Sequence, residues 1–396
     1  MVLFSYYPID PRPRRAAETL VKEGMNVDVI CLMEAGRDPK REKLNGVDIL
    51  RVPLKRRRGG IFAYAFQYLA FLLISSTIIA IRSLTRRYDL VYVHNMPDVL
   101  ILSALVPKAL GAKVILDLHD PMPELMMTIF SLHQDTLTVR ALKLLEKWSI
   151  QLADQTLTVN RACRTLFASR SCRPEKIRVV MNSPDEEIFR FRPARSHTTT
   201  RYTSSKPFVI MYHGSLVERN GLDLAVDALA RVRQSVPRAE LRIYGSETRF
   251  LERVMESART NGLIDAVHYL GPKGAEDIVA AIEECDVGII PNHRNLFTQI
   301  NTPTRIFEYL ALGKPVIAPR AQGILDYFNN ESLIFFELGD PEDLARKIER
   351  VFVHPSEAID IVKRGQQVYL AHTWREERQT LVNVAGRLLS SERGLH

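Results

Sequence analysis

The 396-residue chain has few cysteines and no paired cysteine motif: Cys31, Cys163, Cys172 and Cys285 are scattered, with no CxxC among them. That excludes a zinc ribbon and a disulfide framework, and it suits a reducing compartment. No GxGxxG follows any apolar run, which removes the ground for a dehydrogenase. There is no DxD triplet and no histidine–carboxylate cluster at metal-ligand spacing, so neither a metal nor another cofactor is expected. A basic, cleavable leader is missing too, since Met1–Tyr6 already reads as a strand. A cytoplasmic location is expected on these grounds. Apolar residues are not scarce. At 46% hydrophobic and 25% charged the composition is that of a globular protein, long enough for two domains.

Acidic residues are in short supply in the first half only. Residues 1–190 carry 28 Lys/Arg against 20 Asp/Glu, whereas residues 191–396 carry 26 of each. A basic half joined to a neutral one implies an anionic partner for the first half. Its cations are not interleaved with aromatics as a base-stacking platform requires, so nucleic acid is not the expected partner. An anionic membrane surface, the inner face of the plasma membrane, fits better. One segment, Ile61–Ile81, runs 21 residues without a charge, between Lys55-Arg56-Arg57-Arg58 and Arg82, Arg86 and Arg87. Its length permits a membrane span. Yet basic residues flank both ends, and the strand that follows must rejoin the preceding sheet. The segment is therefore read as a helix on the first domain lying in the membrane interface, with a plain core helix and a span as alternatives.

Short apolar runs alternate with helical patterns throughout, the signature of βαβ units and parallel sheets. Seven runs precede the polar stretch Arg192–Lys206 and six follow it. The predicted fold is α/β, with two Rossmann-like domains facing each other across a cleft. They are residues 1–191 and 207–373, joined by a linker at 192–206, with a closing helix at about 374–396 packing back on the first.

Ligands of open parallel sheets bind beyond the carboxyl ends of the strands. In the first half the polar segments there are Tyr7–Arg12, His94–Asp98 and His119–Glu124. In the second they are His213–Gly221, Tyr244-Gly245-Ser246 and Pro291–Arg294. The stretch Asn301–Ala318 (NTPTRIFEYLALGKPVIA) predicts a helix capped by Thr302, with Pro303 at its first position and Gly313 at its end. Its amino end offers N–H groups and a positive dipole end to a diphosphate. Glu308, a turn and a half in, is placed to accept hydrogen bonds from ribose hydroxyls, although a surface glutamate on a core helix fits the same pattern.

YYPIDPR near the start, HDPMPE, GSLVERNGLDLAVDAL and TPTRIFEYLALGKPVIA together resemble family 4 of the retaining glycosyltransferases, which have the GT-B architecture. The resemblance implies sugar transfer from a nucleotide-diphosphate sugar, without a metal and by front-face substitution. The acceptor it suggests is lipid-linked or a cell-surface polysaccharide precursor. It casts Glu308 as the ribose ligand and His119 as a contact to the transferred sugar and reacting centre. Asp10, Arg12, His94, Asp120 and Glu124 become acceptor-side candidates. Gly214, Ser215, Asn220, Tyr244, Gly245, Pro291, Thr302, Thr304 and Arg305 become donor-binding candidates. Two departures stand out. The family glutamate eight residues before Glu308 is here Ile300, followed by Asn301. The Arg and Lys of the family's phosphate loop are here Ser215 and Asn220, which leaves Arg219 as the replacement clamp and Arg305 as its reserve. A nucleotide-sugar 2-epimerase of the same fold and a non-catalytic nucleotide-sugar binder are the rival readings.

Overall fold

The computed structural model describes residues 1–34, 38–55, 60–195 and 206–390, without the side chains of residues 61 and 62. It divides into two compact units. One is Met1–Asn182 with the chain from Arg375 onward, and the other is Ser183–Trp374. Most of the predicted linker, 196–205, lies outside the described residues. Residues 192–195 belong with the second unit, where the Arg192 N–H donates to Ala311 O (2.7 Å). The closing helix Trp374–Ser390 joins the first unit, and Glu377 accepts from the Met181 N–H (2.7 Å).

The first unit holds an eight-stranded sheet. Its strands are β1 (Val2–Tyr6), β2 (Val27–Leu32), β3 (Arg41–Leu44), β4 (Val47–Val52), β5 (Leu90–His94), β6 (Lys113–Leu118), β7 (Gln155–Thr158) and β8 (Ile177–Val179). Their order is β3-β4-β2-β1-β5-β6-β7-β8, parallel but for β3 against β4. β3 is absent from the sequence reading because Arg41–Leu44 is polar. Its signal is the turn Asn45-Gly46, both at positive φ, the residue pair that closes a two-residue hairpin.

The second unit holds β9 (Phe208–His213), β10 (Ala239–Tyr244), β11 (Val267–Tyr269), β12 (Val287–Ile289), β13 (Val316–Pro319) and β14 (Ile334–Phe336). They are all parallel, in the order β11-β10-β9-β12-β13-β14. Strands buried on both faces explain the unbroken apolar runs that flagged them. Each sheet reverses its winding once, at β1/β5 and at β9/β12. Tyr7–Arg12 and His94–Asp98 leave the strands that flank the first switch point, and His213–Gly221 and Pro291–Arg294 those that flank the second, with His119–Glu124 and Tyr244-Gly245-Ser246 one strand further out.

The apolar segment forms one helix, Ile61–Thr85. Phe71 and Ser75 are fully buried, and Tyr68 and Phe71 set their rings edge-on to Phe4 of β1. Phe66, Leu73, Ile81 and Leu84 are 59–77% exposed. Mean hydropathy is 1.8 over a span long and apolar enough to cross a membrane, yet only 22% of that window is buried. The helix joins β4 to β5 of one sheet and lays one stripe on it, so most of its apolar surface is not core.

Candidate functional site

In the first unit the site is built on Asp117, a fully buried carboxylate at the end of β6. The Arg12 guanidinium donates to both its oxygens, Nε to Oδ2 at 3.0 Å and Nη2 to Oδ1 at 2.6 Å, and its Nη1 donates to Val180 O (2.8 Å). The Tyr92 hydroxyl adds a bond to Oδ2 at 2.7 Å. Burial alone would raise the carboxyl, but the guanidinium beside it holds Asp117 well below the usual carboxylate range. Arg12 is thus locked in the interior and does not face an acceptor. Asp10 caps the helix Pro11–Lys22, accepting from the Arg12 N–H at 3.4 Å.

Two histidines stand over this pair. His94, 1% exposed, stacks on Tyr92, and its Nδ1 lies 2.9 Å from Nε2 of His119. Burial lowers His94 well below its ordinary value, so it is neutral. Its Nε2 is buried with no hydrogen-bond partner. One ring must donate and the other accept across the His94–His119 contact. Asn95 holds the His119 loop, accepting from the His119 N–H (2.7 Å) and donating to Asp98 Oδ1 (2.9 Å) and Asp120 O (2.8 Å). His119 remains 19% exposed, the most accessible member of the cluster.

His94, Asp117 and His119 bring three potential metal ligands within 4.8 Å of one another, among the described residues. The spacing along the chain gave no sign of this group. Its chemistry does not suit a divalent cation. Asp117 already pairs with a guanidinium, and the two imidazoles are hydrogen-bonded to each other.

Glu124 also departs from expectation. Arg170 grips it through Nη1–Oε1 (2.6 Å) and Nη2–Oε2 (2.9 Å), and binds the fully buried Glu146 through Nε (2.8 Å). An acceptor-side role for Glu124 would break that network. Two carboxylates share one cation here, and the neighbouring Asp98 responds: burial, with Glu146 nearby, pushes it up to about 7. An unfolded aspartate titrates near 3.9. The folded state therefore holds the Asp98 proton more tightly, and the stability this contributes is lost as pH rises from about 4 through about 7. Between pH 5 and pH 8 the wild type is expected to lose stability relative to Asp98→Asn, as read by urea midpoints. Parallel profiles for the two proteins would refute the assignment.

In the second unit His213, the last residue of β9, places Nε2 2.6 Å from Glu308 Oε2 and Nδ1 3.0 Å from the Tyr309 hydroxyl. Glu308 and Tyr309 lie on the helix Thr304–Ala311, with Tyr309 fully buried and Glu308 16% exposed. The helix starts one residue later than predicted. Pro303 is its N-cap, and the Thr302 hydroxyl donates to Gly323 O (2.6 Å) instead of capping. Thr304 becomes its first residue.

Gly214 follows His213 at φ 125°, and its N–H donates to Tyr244 O (3.0 Å). A Cβ at Gly214 would meet the Arg305 guanidinium at 3.2 Å. That guanidinium donates to His213 O and lies over the Tyr212 ring at 4.8 Å. The Tyr212 hydroxyl and the Asn220 amide both donate to Ser215 O at 2.8 Å, so Asn220 braces the loop. Gly221, at φ 66°, approaches Pro291 so closely that a Cβ would fall 2.0 Å from the Pro291 carbonyl oxygen. Gly245 is packed as tightly, its Cβ position 2.2 Å from Gly214 O. Arg219 sets its guanidinium 5.7 Å from the Phe297 ring centroid. His293, bonded to Asp223 at 2.8 Å, donates its N–H to Arg219 O (3.1 Å), tying the loop after β12 to the loop after β9.

Comparison with known proteins agrees with this geometry. Residues 207–354 match the family described as glycosyl transferases group 1, and residues 9–183 match the glycosyl transferase 4-like domain. The D-inositol 3-phosphate glycosyltransferase of Saccharomonospora viridis is 26% identical over 234 residues, 56% of this chain and 52% of that protein. The chain spans about half the length of the curated relatives it matches. Among solved structures, sucrose-phosphate synthase from Thermosynechococcus elongatus superposes with TM-score 0.77 at 17% identity, covering 96% of this chain and 93% of that one. Anabaena HepE in complex with UDP-glucose gives TM-score 0.69 at 16% identity over 98% and 99%. With two Rossmann-like sheets and both family domains matched in order, the chain belongs to family 4 of the glycosyltransferases and has their GT-B fold.

Proposed function

We propose that this chain transfers a sugar, with retention and without a divalent metal, from a nucleotide-diphosphate sugar to a lipid-linked acceptor at an anionic membrane surface, as in assembly of a polysaccharide precursor. The observation that carries the donor half is Glu308, oriented by His213 on a helix beginning beside Gly214 at the β9/β12 switch point. Uridine nucleotides are the first donors to test, because HepE of the same fold is crystallised with UDP-glucose. His119 and Arg219 are the residues we place at the transferred sugar and the leaving diphosphate.

Glu308→Gln is expected to weaken nucleotide binding by about 1.5–3 kcal/mol, the worth of a charge-assisted hydrogen bond. Calorimetry with a nucleotide sugar measures this, alongside transfer assays in EDTA. Equal affinity in wild type and variant would remove Glu308 from the donor site.

The acceptor half rests on the exposed apolar face of Ile61–Thr85 and the surplus of basic residues in its unit. Co-sedimentation should find the protein on anionic vesicles at low salt and released from them at high salt, since exposed charges are screened within about 10 Å at 0.1 M. Binding that is indifferent to lipid charge would contradict this half of the reading.

A further inference from the structure

Between Ile61–Thr85 and the helices Met122–Phe130 and Leu137–Leu152 lies a cavity of about 260 Å³. Tyr68, Leu72, Met126, Phe130, Leu142 and Leu145 line it. Leu69, 55% exposed, and Thr138, also exposed, mark its mouth on the side where the apolar helix faces solvent. The wall at the other side is Pro97-Asp98-Val99 with Met122. These residues directly continue the loops that carry His94, Asn95, His119 and Asp120. Asn95 couples the two loops by hydrogen bonds to Asp98 and to the His119 N–H. The cavity therefore lies beneath an exposed apolar surface and shares a wall with the loops that carry the His94–His119 cluster.

We infer that this cavity holds the hydrocarbon chain of the acceptor lipid, against a wall formed by the loops that carry His119 and Asp120. The inference rests on the acceptor half of the proposed function and deepens it. An apolar cavity of this size next to a helix with an exposed apolar face is matched by a flexible alkyl or isoprenoid chain. A packed protein segment would bring backbone polar groups that these walls cannot satisfy. Each methylene moved from water into such walls strengthens binding about fourfold. Affinity should therefore grow with chain length until the cavity is full.

The test titrates the full chain with dodecyl phosphate and with butyl phosphate, below the concentration at which either aggregates. Wild type is expected to prefer dodecyl phosphate by at least about tenfold. Leu142→Trp, which fills the cavity from Leu137–Leu152, should abolish that preference while retaining vesicle binding. Phe66→Ser, 73% exposed and outside the lining, should do the reverse. A diazirine-bearing dodecyl phosphate, used on the wild type so that no variant need fold, should label peptides covering 122–130 and 137–152. Undiminished dodecyl phosphate affinity in Leu142→Trp, or labelling confined to the outer face around Phe66, Leu73 and Leu84, would overturn the inference. The latter would mean that the alkyl chain rests on the exposed helix face and not in the cavity. If vesicle binding and nucleotide-sugar-dependent transfer survive such a result, the proposed function stands without the cavity.

Discussion

Arg12→Met should cost about 3–5 kcal/mol of folding stability, because it strands the Asp117 charge in the interior. Asp117 is fully buried, and Arg12 supplies two of the hydrogen bonds that compensate its desolvation. Tyr92 and the neutral His94 remain, but neither brings a full positive charge. The double variant Arg12→Met with Asp117→Leu should recover much of the loss, since replacing both partners of a buried pair by apolar residues is often neutral. The pH dependence has a definite sign. Asp117 is held below its unfolded value, so its contribution is present above about pH 4 and lost as pH falls further. In Arg12→Met that acid-labile contribution shrinks, and the stability of the variant should fall less steeply below pH 4 than the wild type's. Urea midpoints for the four proteins of the cycle, taken from pH 3 to pH 7, decide the matter. Additive losses would mean that the two side chains are not coupled as the geometry indicates.

This pair also shows what was legible in the sequence. Arg12 stood out because it follows a strand and sits in YPIDPR, and the resemblance placed it near a ligand. Asp117 did not stand out, although an aspartate inside the apolar run VILDL is itself a signal, since carboxylates are almost never fully buried unpaired. What the sequence withheld was the partner, 105 residues away. Glu124 misled for the same reason, because its partner Arg170 comes from a different helix. Positions fixed by local geometry read well. The strand ends, the glycine at 214 and the helix bearing Glu308 were all visible, because strand and helix periods need only neighbouring residues. His213 lay in plain view at the end of β9. Its pairing with Glu308 depends on two parallel strands and a helix meeting, which no spacing reveals.

Arg219→Ala is expected to lower turnover roughly 10²- to 10³-fold, the usual loss when one aimed donor to a developing negative charge is removed. The resemblance to family 4 places Ser215 and Asn220 where two phosphate cations are expected, and Asn220 uses its amide to brace Ser215 O. A departing diphosphate still gains charge as the glycosidic bond breaks, and a cation must meet it. Arg305 and Arg219 both lie in this part of the second unit, and their described contacts differ. Arg305 is clamped between the His213 carbonyl and the Tyr212 ring, against Gly214. It is fixed before the donor arrives and interacts with ground state and transition state alike, so Arg305→Ala should weaken donor affinity at least as much as turnover. Arg219 sits on the short turn Glu218–Asn220, its guanidinium resting over Phe297. Contacts that strengthen only as charge develops raise turnover without tightening the ground state. Arg219→Ala should therefore lower kcat more than it raises KM for the donor. Arg219→Lys should restore only part, because a point charge replaces a planar fork that binds phosphate oxygens in pairs. Steady-state kinetics on the three variants, with donor affinity measured separately by calorimetry, distinguish the two roles. If Arg219→Ala turns over normally and Arg305→Ala does not, the charge is met from the helix that carries Glu308, and the loop after β9 serves only to shape the pocket.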